Sequence, residues 1–262
     1  MKSMIKYNKE LVNSFTVKNN GESVVKHKYY NTSNNIYFNR TATRILLKIE
    51  EQNTIAVDEL LDYFSSLYAN VERKQLEEDL IKLLHQLWER GIVSFPDDKE
   101  IFVEQHESEE GIIRKCTHED MEQILKIAKD ENSLFYSSPY INTKNFFMID
   151  SIATNLLNDK VEAYTYTDKK NETSLLIFQR DSLLNSIEIL FMLTTDATNL
   201  FVQHFIFIFD YLVKTKQADE KGIILNVAEY NDRINEFINA SHLHLLGKLV
   251  KDSDFGDVDV YQ

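Results

Sequence analysis

The sequence lacks the features that mark two common classes of protein. A single cysteine, Cys116, excludes an intramolecular disulfide and a zinc site built from cysteines. Long hydrophobic runs are also missing. The most apolar segment, Leu200–Val213, contains His204 and Asp210 and is shorter than the roughly 20 residues of a membrane span. We therefore expect this segment to be a buried helix and the protein to have no membrane partner.

Basic residues are scarce relative to acidic ones. The chain has 29 Lys and Arg against 42 Asp and Glu, which gives a formal net charge of −13. A surface of this sign repels phosphate backbones, so we expect no nucleic-acid partner. Lys2, Lys6 and Lys9 interrupt the apolar residues at the amino terminus, which predicts no signal peptide and favours a cytoplasmic location.

The chain does contain enough apolar material for packed cores. Hydrophobic residues make up 43% and aromatic residues 11%, and domains commonly have about 100–200 residues. The acidic, turn-rich stretch at residues 97–110 indicates a domain boundary. The sequence thus predicts an α+β protein with domains at residues 1–96 and 111–262, joined by an acidic linker at 97–110.

The first domain is expected to have three short strands followed by three helices. β-Branched and aromatic residues favour the strands, and apolar residues at three- and four-residue spacing favour the helices. The expected strands are Ser14–Lys18, Glu22–Tyr30 and Asn34–Phe38. The expected helices cover about residues 42–51, a second segment from Thr54 or Val57 to Ala69, and residues 72–90.

In the second domain, strand and helix patterns alternate. Their order is β-α-α-β-β-β-α-β-α-β-β, which is typical of a mixed α/β domain. The three strands in the middle are expected at Val161–Thr167, Thr173–Arg180 and Ile187–Thr194, with a helix following over residues 195–215.

Two stretches of the first domain have a recognisable pattern, Asn34–Ala42 and Leu87–Val93, the second of the form Leu-x-x-Arg-Gly-Ile-Val. With the helices between them, they resemble the PqqD-like family, also called the RiPP recognition element, over about residues 10–96. The resemblance implies a winged helix of three strands and three helices. It also implies binding of the leader segment of a ribosomally made precursor peptide.

In such domains the leader lies as an added strand along the exposed edge of the third strand, where main-chain hydrogen bonds hold it. Side-chain pockets against the third helix supply selectivity. The resemblance places the peptide-binding residues at Asn34, Asn35, Ile36, Tyr37 and Phe38 of the strand and at Leu80, Leu84 and Leu87 of the helix. These leucines also have the spacing of a domain core, so a structural role stays open for them.

In the second domain, Ile112–Asp120 has the pattern of a strand leading into a capped helix, and Ile224–Phe237 that of a strand followed by a helix. These stretches resemble the GNAT N-acetyltransferase fold over about residues 111–262. The resemblance implies an acyl-CoA site with the pyrophosphate on N–H groups at the start of a helix. It places this site at Leu193, Thr194, Thr195, Asp196 and Ala197, and a catalytic base at Glu188.

This implied cofactor site lacks the residues that would hold a pyrophosphate. Residues Thr194–Phe201 contain no glycine and no basic residue, and Asp196 adds a negative charge. The family's tyrosine acid falls near Phe237 and Ile238, which cannot ionise. We therefore predict no cofactor and a second domain without catalytic activity. Acetyl-CoA or another acyl-CoA would be the cofactor only if the domain is active.

Three functions remain for comparison. The first is an accessory protein of RiPP biosynthesis that binds a precursor peptide and whose second domain docks a peptide-modifying enzyme or forms a homodimer. The alternative is an acyl-CoA-dependent peptide N-acyltransferase guided by the leader-binding domain. A winged-helix regulator ranks last, because its recognition helix, Glu72–Arg90, is rich in acids. No metal site is predicted, since His242 and His244 lack further ligands at a fixed spacing.

Overall fold

The computed structural model of the protein describes residues 3–29, 35–68, 70–96, 104–130, 133–157, 160–181, 186–195, 201–216, 222–228, 231–253 and 256–262. The chain divides into two compact units, unit 1 (Met1–Val103) and unit 2 (Glu104–Gln262). Each unit has its own hydrophobic core, and each is described by itself.

Unit 1 has six strands and three helices among its described residues. They are β1 (Met4–Tyr7), β2 (Val12–Val17), β3 (Ser23–His27), β4 (Ile36–Phe38), α1 (Arg40–Gln52), β5 (Thr54–Ala56), α2 (Val57–Leu67), α3 (Arg73–Glu89) and β6 (Val93–Ser94). The strands form two sheets, ordered β5-β1-β6 and β2-β3-β4. The three predicted helices are confirmed to within two residues at their ends, the second with the later of its two predicted starts, Val57.

Strand β1 was not predicted, although it is the central strand of its sheet. It is only 4 residues long, and its alternation buries Ile5 and Tyr7. It pairs antiparallel with β5 and β6, which follow much later in the chain. Contacts between distant segments, rather than a local pattern, therefore create this sheet.

The helices of unit 1 form where an apolar stripe meets a capping residue. Helix α1 begins after Asn39, whose side-chain Oδ1 accepts the N–H of Ala42 at 2.9 Å. Its Ile45 and Ile49 are fully buried. Helix α3 has a longer buried stripe, which consists of Leu76, Leu80, Leu84, Leu87 and Trp88.

Unit 2 has nine strands and five helices among its described residues. They are β7 (Gln105–Glu107), β8 (Gly111–Lys115), α4 (Met121–Lys129), β9 (Leu134–Ser137), α5 (Thr143–Phe146), α6 (Ile149–Leu157), β10 (Glu162–Asp168), β11 (Thr173–Asp181), β12 (Ser186–Thr194), α7 (Phe201–Lys216), β13 (Ile223–Val227), α8 (Asp232–Ala240), β14 (Leu245–Ser253) and β15 (Gly256–Tyr261).

The nine strands form one sheet, ordered β14-β15-β13-β12-β11-β10-β8-β7, with β9 attached to β12. Strands β12 and β13 are parallel to each other. The predicted order of elements is present from β8 to β15 except that β9 is an additional strand and that two helices, α5 and α6, are found where one was predicted. The linker prediction is wrong for Gln105–Glu107, because these residues form β7 and pair with β8.

The core of unit 2 lies between this sheet and helix α7. As predicted, the apolar segment at residues 200–213 is a buried helix in its described part: Phe201, Phe205 and Leu212 of α7 have no exposed surface. Among the described residues, no helix combines the length and the apolar character needed to cross a bilayer. The same residues contain no group of three or more side chains arranged to hold a metal ion.

Candidate peptide-binding site

Strand β4 is one of the two outer strands of the β2-β3-β4 sheet among the residues that the structure describes. It pairs with β3 through Ser23↔Phe38, Val24↔Tyr37 and Val25↔Ile36. An outer strand has one edge whose N–H and C=O groups are open to pairing with another extended chain. Among the described residues, no strand pairs with this edge of β4.

The side chains of β4 alternate between the core and solvent. Phe38 is buried, whereas Tyr37 is 65% exposed, and the Lys18 ammonium lies 4.8 Å from the centre of the Tyr37 ring. Asn35 and Ile36 are half-buried. Asn34, the first residue of the predicted site, lies outside the described residues.

The structure corrects the prediction for helix α3. Leu80, Leu84 and Leu87 are at most 1% exposed and belong to the hydrophobic core of unit 1. They share this core with residues of α1 and α2, and their burial leaves almost no surface for a bound peptide to contact. Their spacing reflects the packing of the domain itself.

A groove lies beside these leucines, lined by residues of α3, of α2 and of the start of α1, next to the end of β4. It has a volume of about 330 Å³, and eight residues line it: Asn39, Thr41, Ala42, Phe64, Asp79, Lys82, Leu83 and Gln86. Leu83 is half-buried against the core, whereas Lys82 and Gln86 are exposed. The groove thus combines apolar walls with a polar and charged rim.

Two side chains of the groove are held in place by local hydrogen bonds. Asn39 caps α1, as described above, and the Thr41 hydroxyl lies 2.6 Å from the hydroxyl of Tyr68. The start of α1 is therefore fixed beside β4. Sequence reasoning missed Lys82, Leu83 and Gln86, although Leu83 stands out as an apolar residue beside the buried stripe of α3.

In unit 2, the described residues of the implied acyl-CoA site pack against or form hydrogen bonds with other parts of the protein. Leu193 is fully buried and pairs with Leu134 of β9. The Thr194 N–H donates to the Ser133 carbonyl at 2.9 Å, and the Thr195 N–H donates to the Thr173 carbonyl at 2.9 Å. Asp196 and Ala197 lie outside the described residues.

The side chains at this position do not favour a phosphate either. The Thr195 hydroxyl donates to the Glu172 carboxylate at 3.0 Å, and the Thr194 hydroxyl lies 2.9 Å from that of Ser174. A pyrophosphate requires free N–H groups and a positive potential. The described residues of the implied site offer bonded N–H groups and a nearby carboxylate, so they do not fit acyl-CoA.

Glu188, the implied catalytic base, joins three strands. Its Oε2 accepts a hydrogen bond from Gln179 of β11 at 2.6 Å, and its Oε1 accepts one from Asn226 of β13 at 2.9 Å. Both oxygens of the half-buried carboxylate are thus engaged by amides. The sites near the expected tyrosine acid, Phe237 and Ile238, are buried. A catalytic role for Glu188 stays a prediction.

Unit 2 contains a row of three interacting polar side chains, His204, Ser174 and Asp168, that was not predicted from the sequence. His204 of α7 lies 2.9 Å from the Ser174 hydroxyl through Nδ1 and 3.9 Å from the Asp168 carboxylate through Nε2. Ser174 has no exposed surface, so a substrate cannot reach it. We therefore assign these three side chains to the packing of α7 on the sheet.

Cys116 is also structural. It is buried, and burial is the main cause that raises the pKa of its thiol far above the usual range, with a contribution from the Asp120 charge. A thiol that keeps its proton is a poor nucleophile. Cys116 therefore does not supply a catalytic nucleophile.

Comparison with known proteins bears on both units. The family described as PqqD, coenzyme PQQ synthesis protein D, matches residues 29–93. No curated protein matches the chain. The match confirms the PqqD-like resemblance of the segment that contains β4, the groove and α3.

Solved structures similar to the chain include several N-acetyltransferases. The ribosomal-protein-S5-alanine acetyltransferase from Vibrio fischeri is 12% identical, with a TM-score of 0.45 over 60% of this chain and 94% of that one. A spermidine N-acetyltransferase from Vibrio cholerae, in complex with CoA and spermine, is 14% identical, with a TM-score of 0.44 over 57% and 92%. A ribosomal L7/L12 α-N-protein acetyltransferase in complex with coenzyme A is 11% identical, with a TM-score of 0.47 over 60% and 96%.

The chain thus contains a segment, residues 29–93, that is similar to the PqqD family. In unit 2, the elements from β8 to β15 follow the order that the sequence predicts for this fold, except for β9 and the pair α5 and α6. A shared fold does not establish a shared chemistry, which depends on the residues of the site.

Proposed function

We propose that unit 1 binds the leader segment of a ribosomally made precursor peptide by adding it as a strand to the outer edge of β4. The observation that carries this proposal is the position of the groove, which lies beside the end of β4 and against α3. Main-chain pairing along β4 would supply affinity for any extended segment, and the groove would supply selectivity. The PqqD match over residues 29–93 supports the same function.

The lining of the groove indicates which peptide it prefers. Phe64 and Leu83 provide apolar surface, and Asp79 and Lys82 place opposite charges at the rim. An apolar side chain of the leader would enter between the helices, and its polar neighbours would stay at the rim. An acidic or basic side chain in the apolar part would lose hydration without a partner.

We propose further that unit 2 has no catalytic activity and works by binding, in the cytoplasm, a peptide-modifying enzyme or a second copy of the chain. The bonded N–H groups of Thr194 and Thr195 and the engaged carboxylate of Glu188 support this proposal. In the described part of unit 2, no observation favours the N-acyltransferase alternative.

The test is a titration of the protein with a fluorescent leader peptide from a neighbouring precursor gene, followed by anisotropy. The variant Leu83→Glu places a charge in the groove and should weaken binding by at least about tenfold, or 1.4 kcal/mol. Leu47→Glu is the matched control, because Leu47 is 41% exposed on α1 and does not line the groove. The control should bind like the unchanged protein.

Two results would contradict the proposal. One is an absence of binding by the unchanged protein at tens of micromolar peptide, with a scrambled peptide as the reference. The other is an equal loss of affinity in Leu83→Glu and Leu47→Glu while both variants unfold at the same temperature as the unchanged protein, since the groove would then have no special role.

A further inference from the structure

The parallel strands β12 and β13 of unit 2 stay paired over a short distance only. Their register consists of Ile187↔Ile223 and Glu188↔Ile224. Beyond these residues, the edge of β12 that faced β13 has a different neighbour, the added strand β9. The two parallel strands therefore diverge, and a third segment of the chain occupies the space along β12.

Strand β9 holds this position by antiparallel pairing with a shift of register between Met192 and Leu193. The partners are Phe191↔Ser137, Met192↔Tyr136 and Leu193↔Leu134. At one end the Ser138 N–H donates to the Leu190 carbonyl at 2.7 Å, and at the other the Thr194 N–H donates to the Ser133 carbonyl at 2.9 Å. An incoming extended ligand would have to break these bonds to reach the same edge of β12.

Tyr136 closes the point where β12 and β13 separate. Its hydroxyl donates to the Asn226 carbonyl of β13 at 2.9 Å and lies 3.4 Å from the Ile189 carbonyl of β12. The side chain is buried, and burial raises the pKa of its hydroxyl well above the usual value. One residue of β9 thus contacts main-chain carbonyls of both diverging strands.

The space that remains beside β9 is small. The cleft between β9, the end of β13 and the start of α8 has a volume of about 170 Å³ and is lined by Leu134, Tyr136, Val227 and Ile234, among others. Small-molecule sites usually have about 300–1,000 Å³. The cleft could not hold the long arm of an acyl thioester without displacement of β9.

We infer that β9, a strand of the chain itself, fills the gap between the diverging strands β12 and β13. It thereby closes the implied acyl-donor site at Leu193 and Thr194. The same main-chain groups that would hold a donor are used to hold β9. This inference does not depend on leader binding by unit 1, so either can fail alone.

The experiment is hydrogen exchange of the full chain, with and without millimolar acetyl-CoA, together with its melting temperature. The amides of Ser138 and Thr194 should be strongly protected, and acetyl-CoA should change neither their exchange nor the melting temperature. The variant Tyr136→Phe should speed exchange at both amides at least several-fold. Tyr166→Phe is the control, because Tyr166 is buried in the same sheet and contacts His204 and Phe207 rather than β9.

Three results would overturn the inference. Exchange of Ser138 and Thr194 at the rate of an open loop in the unchanged protein would show that β9 is not held on β12. A saturable rise in melting temperature with acetyl-CoA would show that the donor site is open. Equal exchange in Tyr136→Phe and Tyr166→Phe would remove the specific role of Tyr136. Because the first two results need no variant, a Tyr136→Phe chain that does not fold leaves the inference testable.

Discussion

The substitution Leu84→Ala tests most directly whether the leucine stripe of α3 belongs to the core or to the peptide site. Leu84 is 1% exposed and lies in the core cluster of unit 1. Removal of a buried leucine side chain beyond its Cβ leaves a cavity and usually costs about 2–5 kcal/mol. We expect a loss of about 3 kcal/mol, because the neighbours of Leu84 lie on helices that cannot close the gap without moving.

Unfolding of unit 1 can be followed separately from that of unit 2. Trp88, the single tryptophan, is 3% exposed on α3, so its fluorescence in a urea titration reports on unit 1. With a slope of about 1–3 kcal/mol per molar urea, a loss of about 3 kcal/mol lowers the midpoint by roughly 1–3 M. Leu47→Ala is the control, because an exposed leucine contributes within about 0.5 kcal/mol.

A core position for Leu84 is refuted if Leu84→Ala has the same urea midpoint as Leu47→Ala and loses leader affinity. Leu84 would then contact the peptide, as first predicted. The folded Leu84→Ala protein should instead bind the leader with unchanged affinity below its unfolding transition. Leu83→Ala should show the opposite behaviour, with weaker binding and a smaller shift of the midpoint, because Leu83 is only half-buried.

Helices were predicted well because their signal is local. The spacing of Ile45 and Ile49, or of the leucines in α3, is set by neighbours within one turn and survives without knowledge of the fold. Strands β10, β11 and β12 were predicted for a similar reason, since each has at least 7 residues of strand-favouring sequence. Strands β1 and β9 have 4 residues each, and pairing with distant segments defines them.

The location of the peptide site stays a prediction, whereas the packing of its predicted leucines can be compared with the structure. The sequence led to β4 and α3, but a periodic helix has the same spacing whether its stripe faces the core or a ligand. Only the packing of α3 on its neighbours reveals that Leu80, Leu84 and Leu87 point inwards and that Lys82, Leu83 and Gln86 line the groove. In unit 2, the hydrogen bond of the Thr194 N–H likewise depends on Ser133, which directly precedes β9 and lies about 60 residues earlier in the chain.

Two further substitutions or treatments test local features. Asn39→Ala should destabilise unit 1 by about 1 kcal/mol in the urea titration followed by Trp88 fluorescence, because it removes the cap on the Ala42 N–H. Asn39→Asp should keep most of the stability. Equal losses in both variants would contradict the capping role. Cys116 should react with a thiol reagent at pH 8 at least about a hundredfold more slowly in the folded chain than in urea, because burial raises its pKa and the thiolate is the nucleophile. Since the folded thiol keeps its proton, its contribution to stability should fall as the pH rises above the ordinary thiol value of about 8.5. Complete labelling of the folded chain at the rate of the denatured one would show that Cys116 is accessible.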